Sequence, residues 1–451
     1  MVLRIANAQA FWGDDSSAAA RVAAQAPDVD WITLDYLAEV SMSILAKQRE
    51  RDPASGYAKD FLDVVKSLVP IWRSGRRLRL VTNAGGLNPL ACAQACAELL
   101  SREKVRGLKI GVVSGDDVLP LLREKPAEFR HLEDGTTLDH ASVDLVTANA
   151  YLGAAPVVQT ITAGADIVIT GRVADPSLTV APCIAHFGWA ETDFHRIAGA
   201  TVAGHLIECG TQATGGISTD WLDVPDPAHI GFPVAEIHDD GSCVITKPPG
   251  TGGRVSEQTV KEQLLYEIGD PAAYLSPDAV VSFLTLSVLD EGNDRVRVHG
   301  ATGRAPTDQY KVSATYRAGF RASGMLTVPG PNAVAKARRC GEIVLQRLRD
   351  AGAEPQRSLV ECLGAGAVAP VNTDANGSEL KEIVLRITVA DSRREVVEQF
   401  SRSITPLISA GPQGITGYAE GRPAVREVYG YWPTLVPRSA VRPKVEIIDV
   451  P

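Results

Sequence analysis

The sequence predicts an α/β fold: an N-terminal, mostly parallel sheet flanked by helices, followed by a smaller α+β domain. Three observations carry this reading. Up to residue 170, short apolar runs alternate with helical segments, the rhythm of strands joined by crossover helices. Several of those runs end in glycines and small polar residues that open onto a helix. Beyond residue 232 the texture changes to a hairpin and alternating strands. The expected division is 1–255 for the α/β domain and 256–451 for the α+β domain with an ordered polar-aromatic tail.

The expected strands of the first domain are 2–6, 31–34, 78–82, 109–113, 144–147 and 167–170. After the third comes Thr82-Asn83-Ala84-Gly85-Gly86-Leu87-Asn88-Pro89, where Asn88 is a natural cap and Pro89 a natural first helical residue. After the sixth, Gly171-Arg172-Val173-Ala174-Asp175-Pro176 repeats the pattern, with Asp175 as cap. Ligands of open parallel sheets bind beyond the carboxyl ends of the strands. These loops, with Gly13-Asp14-Asp15 and Gly115-Asp116-Asp117, are therefore expected to border one crevice. Arg172, a guanidinium among glycines at a strand end, suits a carboxylate or phosphate. The pairs Asp14/Asp15 and Asp116/Asp117 read as turns and caps more readily than as a divalent-cation site, because no third ligand is fixed by spacing.

Residues 203–216, Ala-Gly-His-Leu-Ile-Glu-Cys-Gly-Thr-Gln-Ala-Thr-Gly-Gly, carry the densest chemistry. His205, Glu208 and Cys209 share a helix face, so an imidazole, a carboxyl and a thiol can meet in one pocket. Gly210 is the expected helix stop. Thr211, Gln212, Thr214, Gly215 and Gly216 then offer hydroxyls, an amide and backbone N–H groups to an oxyanion. Packing alone is the competing explanation, since free cysteine is among the most buried residue types. A thiol at a helix C-terminus also faces the negative end of the dipole, which raises its pKa.

A hairpin is expected over 232–246, with its turn at Asp239-Asp240-Gly241. Lys247-Pro248-Pro249-Gly250-Thr251-Gly252-Gly253-Arg254 follows and opens onto a helix over 257–268, a ready anion site if its amides are free. It is neither a Walker A loop nor the dinucleotide fingerprint. Strands follow over 280–289, 295–299 and 311–318, a helix from Asn332 to about 350, strands over 359–363 and 381–389, and a helix over 393–407. The tail from 417 to 433 is rich in Arg, Tyr and Gly and is expected to fold back on the body or onto a neighbouring subunit.

Composition narrows the partners. The 451 residues carry a net charge of −9 without a basic run, which argues against nucleic acid and anionic membrane. No window approaches a membrane span and the start lacks signal-peptide design. Seven cysteines, an odd number, read as reduced thiols of a cytoplasmic protein, with Cys92 and Cys96 in the core.

The 83–89, 171–175, 208–216, 247–253 and Gly421-Arg422-Pro423 segments together resemble the acyclic terpene utilisation protein A (AtuA) family, along nearly the whole chain. The resemblance implies a catabolic setting, the breakdown of terpenes through acyl-CoA intermediates or of other carboxylic acids, without a defining reaction. It also implies a small α/β domain at the C-terminus of longer members, which also occurs as a separate polypeptide. This chain stops at Pro451 without it, so a small AtuA-like partner protein is expected, along with homo-oligomers. The expected function is a cofactor-independent hydratase or dehydratase acting on an acyl-CoA or small carboxylic acid. Coenzyme A would enter as part of the substrate and not as a cofactor. Cys209, Glu208 or His205 would move the proton, while Arg172 and the 247–254 loop hold the acidic group. The alternatives are a Cys209-dependent acyl transferase or thioester hydrolase, and a non-catalytic subunit of a two-component complex.

Overall fold

The computed structural model describes residues 2–141, 143–368, 380–418 and 421–451. Ala419 and Glu420 of the expected tail lie outside the described residues. The chain forms two compact units, Met1–Thr315 with Tyr431–Pro451, and Tyr316–Gly430. The boundary expected at 255 is therefore displaced. The sheet does not stop at the hairpin, because Ser287–Asp290 and Val296–His299 extend it.

The centre of the first unit is five parallel strands in the spatial order Val2–Asn7, Trp31–Leu34, Arg79–Thr82, Ile167–Thr170 and Lys109–Ser114. Their register sets Ile5 beside Trp31, Ile32 beside Leu80 and Val112 beside Ile169. Ile32, Leu34, Ile167 and Ile169 are wholly buried, the continuous apolar pattern of strands covered on both faces. Beside Val2–Asn7 run four antiparallel strands, in the order Val234–His238, Cys243–Thr246, Val296–His299 and Ser287–Asp290. At the other edge Lys444–Asp449 lies antiparallel to Lys109–Ser114.

One strand went elsewhere. Leu145–Ala150 is absent from this sheet and pairs with the long strand Gln309–Pro329. There Thr147 and Thr315 share a hydroxyl hydrogen bond of 2.7 Å, and the Tyr151 N–H donates to the Lys311 carbonyl. Alternating β and α segments reveal strands, not which sheet receives each one.

The helix Phe194–Glu208 is buried at every residue from Ile197 to Ile207. Its glycines explain how close it comes. A Cβ on Gly199 would stand 2.1 Å from the Gly241 carbonyl oxygen, and one on Gly204 would stand 2.8 Å from Pro176. A Cβ never tolerates such distances, so glycine is what lets this helix settle against the 175–176 loop.

In the second unit the helices Ala333–Asp350 and Arg394–Ser403 cover the strands Arg357–Leu363 and Glu382–Asp391. Val344, Leu348, Leu385, Ile387 and Phe400 form its core, each wholly buried. Strands on one side and two helices on the other match the expected α+β layer. No helix among the described residues is long and apolar enough to cross a membrane.

Candidate active site

The parallel strands deliver five loops to one end of the sheet, and a polar network runs through them. Asp35 follows Trp31–Leu34, Asn83 follows Arg79–Thr82, and Asp116 and Arg172 follow the strands ending at Ser114 and Thr170. Asn83 donates to Asp35 at 2.6 Å and accepts from the Tyr36 N–H at 2.7 Å, tying two loops together. Asp116 is buried and accepts from the Arg172 N–H at 2.9 Å and from Asn149 at 2.7 Å. A side chain on Gly171 would strike Asp116, which is why that position is glycine. Burial pushes the Asp116 carboxyl up to about 6, against those two donors.

Arg172 is only 3% exposed. One guanidinium nitrogen donates to the Leu37 carbonyl at 2.5 Å, and another meets Asp175 at 2.9 Å. The group lies 4.0 Å from the centroid of the Tyr151 ring. Burial alone would lower its pKa, but the charge of Asp175 and its neighbours outweighs that and keeps it cationic. Arg172 is thus already committed, and its Nε is the one nitrogen of the guanidinium left buried without a partner among the described residues. The expectation that it grips a substrate carboxylate needs correction: its fork already holds Asp175.

Asp175 was expected as a helix cap, yet Pro176 precedes the helix Ser177–Phe187 and the Asp175 side chain turns to Arg172. Burial drives its pKa up to about 8, Arg172 opposes the rise, and Asp35 and Glu39 add to it. Burial also raises Asp35, with Arg172 again opposing. Two carboxyls beside one guanidinium hold one negative charge readily and a second only at higher pH.

His205 and Glu208, brought to this loop by Gly204, complete the polar floor. The His205 Nδ1 is 3.0 Å from Glu208 Oε1, and its Nε2 is 2.9 Å from the Gln263 carbonyl. A carbonyl only accepts, so Nε2 carries a proton. Burial holds His205 down to about 4, which leaves the ring neutral and Nδ1 a bare acceptor. The proton between Nδ1 and Oε1 therefore belongs to Glu208. Burial, then Asp175 and Glu267, raise the Glu208 carboxyl well above its ordinary range, in agreement. Its other oxygen, Oε2, is buried without a partner among the described residues. Gln263 locks the arrangement by donating its amide back to the His205 carbonyl at 2.9 Å.

Above this floor is a cavity of about 320 Å³. Arg172, Asp175, His205 and Glu208 line its base, with Tyr151 and Tyr274 as aromatic walls. Glu39, Glu267 and Lys311 stand at its margin, and the Lys311 ammonium sits 5.1 Å from the Tyr151 ring. Asp278 anchors the 274–277 wall by accepting from the Ala154 N–H at 2.7 Å and from the Ser177 hydroxyl at 2.5 Å. The 274–277 segment carried no sequence signature. Asp35 did: an aspartate directly after an apolar strand, as at the other strand ends.

Cys209 is not in the cavity wall. Burial, then Glu208, raise its thiol far above the ordinary value, so it is held as a thiol. Of the residues expected to form an oxyanion hole, the Gly215 and Gly216 N–H groups and the Thr214 hydroxyl are engaged with protein carbonyls, while Gln212 Oε1 is buried without a partner among the described residues. The Gly216 N–H donates to the Thr211 carbonyl at 2.8 Å and the Gly215 N–H to Gln212 at 3.1 Å. Thr214 donates its hydroxyl to Thr211 and Gly231.

The 247–254 loop is spent in the same way. The Gly252 N–H donates to His229, Gly253 to Pro225 and Arg254 to Thr214. Thr251 donates to Pro248, Lys247 bonds the Thr251 carbonyl and Asp294, and the Arg254 side chain reaches the Asp223 carbonyl. Gly250, at φ +77°, only turns the chain. The expected anion site is corrected to a stitch between neighbouring turns, because its amides have protein partners.

Gly85 and Gly86 likewise serve close approach, to Pro89 and Leu45. Asn88 caps the helix Pro89–Arg102 as expected. Asp14 accepts from Ala10, Asp15 from Ser17 and Arg21, and Asp117 from Leu119, so these aspartates serve turns and caps. No cluster of three or more metal-ligating side chains occurs among the described residues.

No curated protein and no solved structure matches the chain. The family model described as "Acyclic terpene utilisation family protein AtuA" matches residues 3–447. A match over nearly the whole length establishes that the chain belongs to the AtuA family.

Proposed function

We propose that this protein is a hydro-lyase that adds or removes water across the bond next to a thioester carbonyl, working by acid–base chemistry from its own side chains. One observation carries the reading. A carboxyl kept protonated by a neutral imidazole, Glu208, faces the same cavity as a carboxyl that ionises beside a guanidinium, Asp175. Environments that push two carboxyls into different roles are the mark of an acid–base pair.

In the dehydration direction, ionised Asp175 removes the proton from the carbon adjoining the carbonyl. Glu208 gives its proton to the departing hydroxyl, the carbon–oxygen bond breaks, and water leaves. Hydration is the reverse. The acidic margin favours an uncharged acyl thioester over a free carboxylate, because Glu39 and Glu267 repel an anion and Arg172 is engaged. Cys209 has no part in this chemistry, since it neither lines the cavity nor ionises readily.

The test is solvent-deuterium exchange at the α-carbon of short enoyl- and 3-hydroxyacyl-coenzyme A thioesters, followed by mass spectrometry. Exchange with interconversion, both abolished in Asp175→Asn, is the expected result. Thioester cleavage to free coenzyme A without exchange would instead assign a hydrolase.

A further inference from the structure

We infer that the Tyr274 phenol is a third catalytic group, the donor that holds the thioester carbonyl oxygen while that oxygen carries the charge of an enolate. The inference rests on the hydro-lyase reading above, whose acid and base move protons but leave the developing oxyanion without a partner.

Three observations put Tyr274 in this role. It lines the cavity together with Asp175 and Glu208. Its ring is held in a cluster of three: it lies 5.6 Å from Phe283, edge to face, and 6.1 Å from His205, which itself stands 5.9 Å from Phe283. Pairing of Tyr274 with Val281 fixes the backbone beneath it. Its hydroxyl has no hydrogen-bond partner among the described residues, although a tyrosine packed into protein ordinarily places its hydroxyl on one. Burial, then Glu208 and Asp175, raise the phenol well above its ordinary range, so it stays a neutral donor. A fixed ring ending in an unspent O–H is a preorganised donor. The neighbouring donors are committed: His205 Nε2 to the Gln263 carbonyl, the Arg172 fork to Leu37 and Asp175, and the Lys311 ammonium to the Tyr151 ring.

The charges balance through the step. When the α-proton passes to Asp175, the electron pair of the carbon–hydrogen bond moves to the carbonyl oxygen. Asp175 is then neutral and Glu208 still holds its proton, so Arg172 is left to offset the new negative charge from the same cavity. The Tyr274 O–H donates to that oxygen and keeps its proton throughout. The carbonyl re-forms as the hydroxyl leaves with the Glu208 proton as water.

Tyr274→Phe tests this, because it keeps the ring and removes only the oxygen; circular dichroism confirms the fold. On short 3-hydroxyacyl-coenzyme A thioesters kcat should fall by about 10²–10³ with KM nearly unchanged, the scale of one lost oxyanion donor. A rise in KM alone would make Tyr274 a binding group and overturn its catalytic role. Acetoacetyl-coenzyme A, a thioester with an acidic α-proton, gives a readout that needs no turnover. Its near-ultraviolet enolate absorbance should grow on binding the wild type and not on binding Tyr274→Phe. A band retained in the variant, or absent in the wild type, would overturn the assignment. A band lost in Tyr274→Phe, with no interconversion of hydroxyacyl thioesters by the wild type, would keep Tyr274 as the carbonyl donor and overturn the hydro-lyase reading instead.

Discussion

Two regions of the first unit look alike in the sequence and differ in what their polar groups do. The 211–216 and 247–254 segments are glycine-rich, hydroxyl-rich and adjacent to charged side chains, as are the strand-end loops around Arg172. In the first region the amides named above close onto protein carbonyls, among them Gly216 to Thr211, Gly253 to Pro225 and Arg254 to Thr214. In the second, a buried guanidinium keeps one N–H unpaired, and a buried carboxyl keeps one oxygen unpaired above an open cavity. Small polar residues are what a chain needs to stitch turns together as much as to meet a ligand. The first region also leaves one buried polar atom unpaired among the described residues, Gln212 Oε1, so what separates the two is displaced protonation beside an open cavity.

The largest effect should come from removing the acid. Glu208→Gln keeps the shape and loses the proton, so turnover of the thioester substrate should fall by about 10²–10⁴, the scale of general acid–base catalysis. Its melting temperature should stay close to that of the wild type. Retained turnover in a folded variant would place the chemistry elsewhere.

Next comes stability. Arg172→Met strips a buried cation from half-buried Asp175 and leaves buried Asp35 without it, and about 3 kcal/mol of unfolding free energy should be lost. Denaturant titration measures this. A loss under about 1 kcal/mol, the worth of an exposed ion pair, would show that the network is not buried in solution.

The pH profile sharpens the same contrast. The Asp175 pKa is raised, so the carboxyl is protonated at low pH and becomes a base only as pH rises through about 8. kcat/KM should therefore climb toward that value. A profile flat from pH 6 to 9 would contradict the role given to Asp175.

The stitched region should respond in stability alone. Lys247→Ala cuts a buried ammonium from Thr251 and Asp294, at a cost of about 1–3 kcal/mol, with substrate affinity unchanged in calorimetry. Cys209→Ser should be the mildest change, with activity retained. Weakened substrate binding in Lys247→Ala would restore the loop as a binding element.

Much of this was legible before the fold was known. Glycine, asparagine and proline after apolar runs announced the strand-end loops, and helical spacing put His205 and Glu208 on one face. The spacing also swept in Cys209, because i, i+3 and i+4 define a face but not where the helix stops; here Cys209 is already the cap. Tyr151, Tyr274 and Lys311 could not be found, since they come from a loop and two strands whose approach depends on tertiary packing. Gln263 was equally hidden, as one polar residue on an amphipathic helix. The edge strand Lys444–Asp449 was readable from its alternation, but the polar tail before it drew the reading toward an interface.

The central claim is that the cavity holds Glu208 as a neutral acid against a neutral His205. Nitrogen NMR of protein labelled in its histidine rings reads this directly, with His205→Gln identifying the resonance. Between about pH 5 and pH 7, above the depressed value near 4, the spectrum should show protonated Nε2 and bare Nδ1. A doubly protonated His205 in that range would mean an ionised Glu208, and would contradict the account.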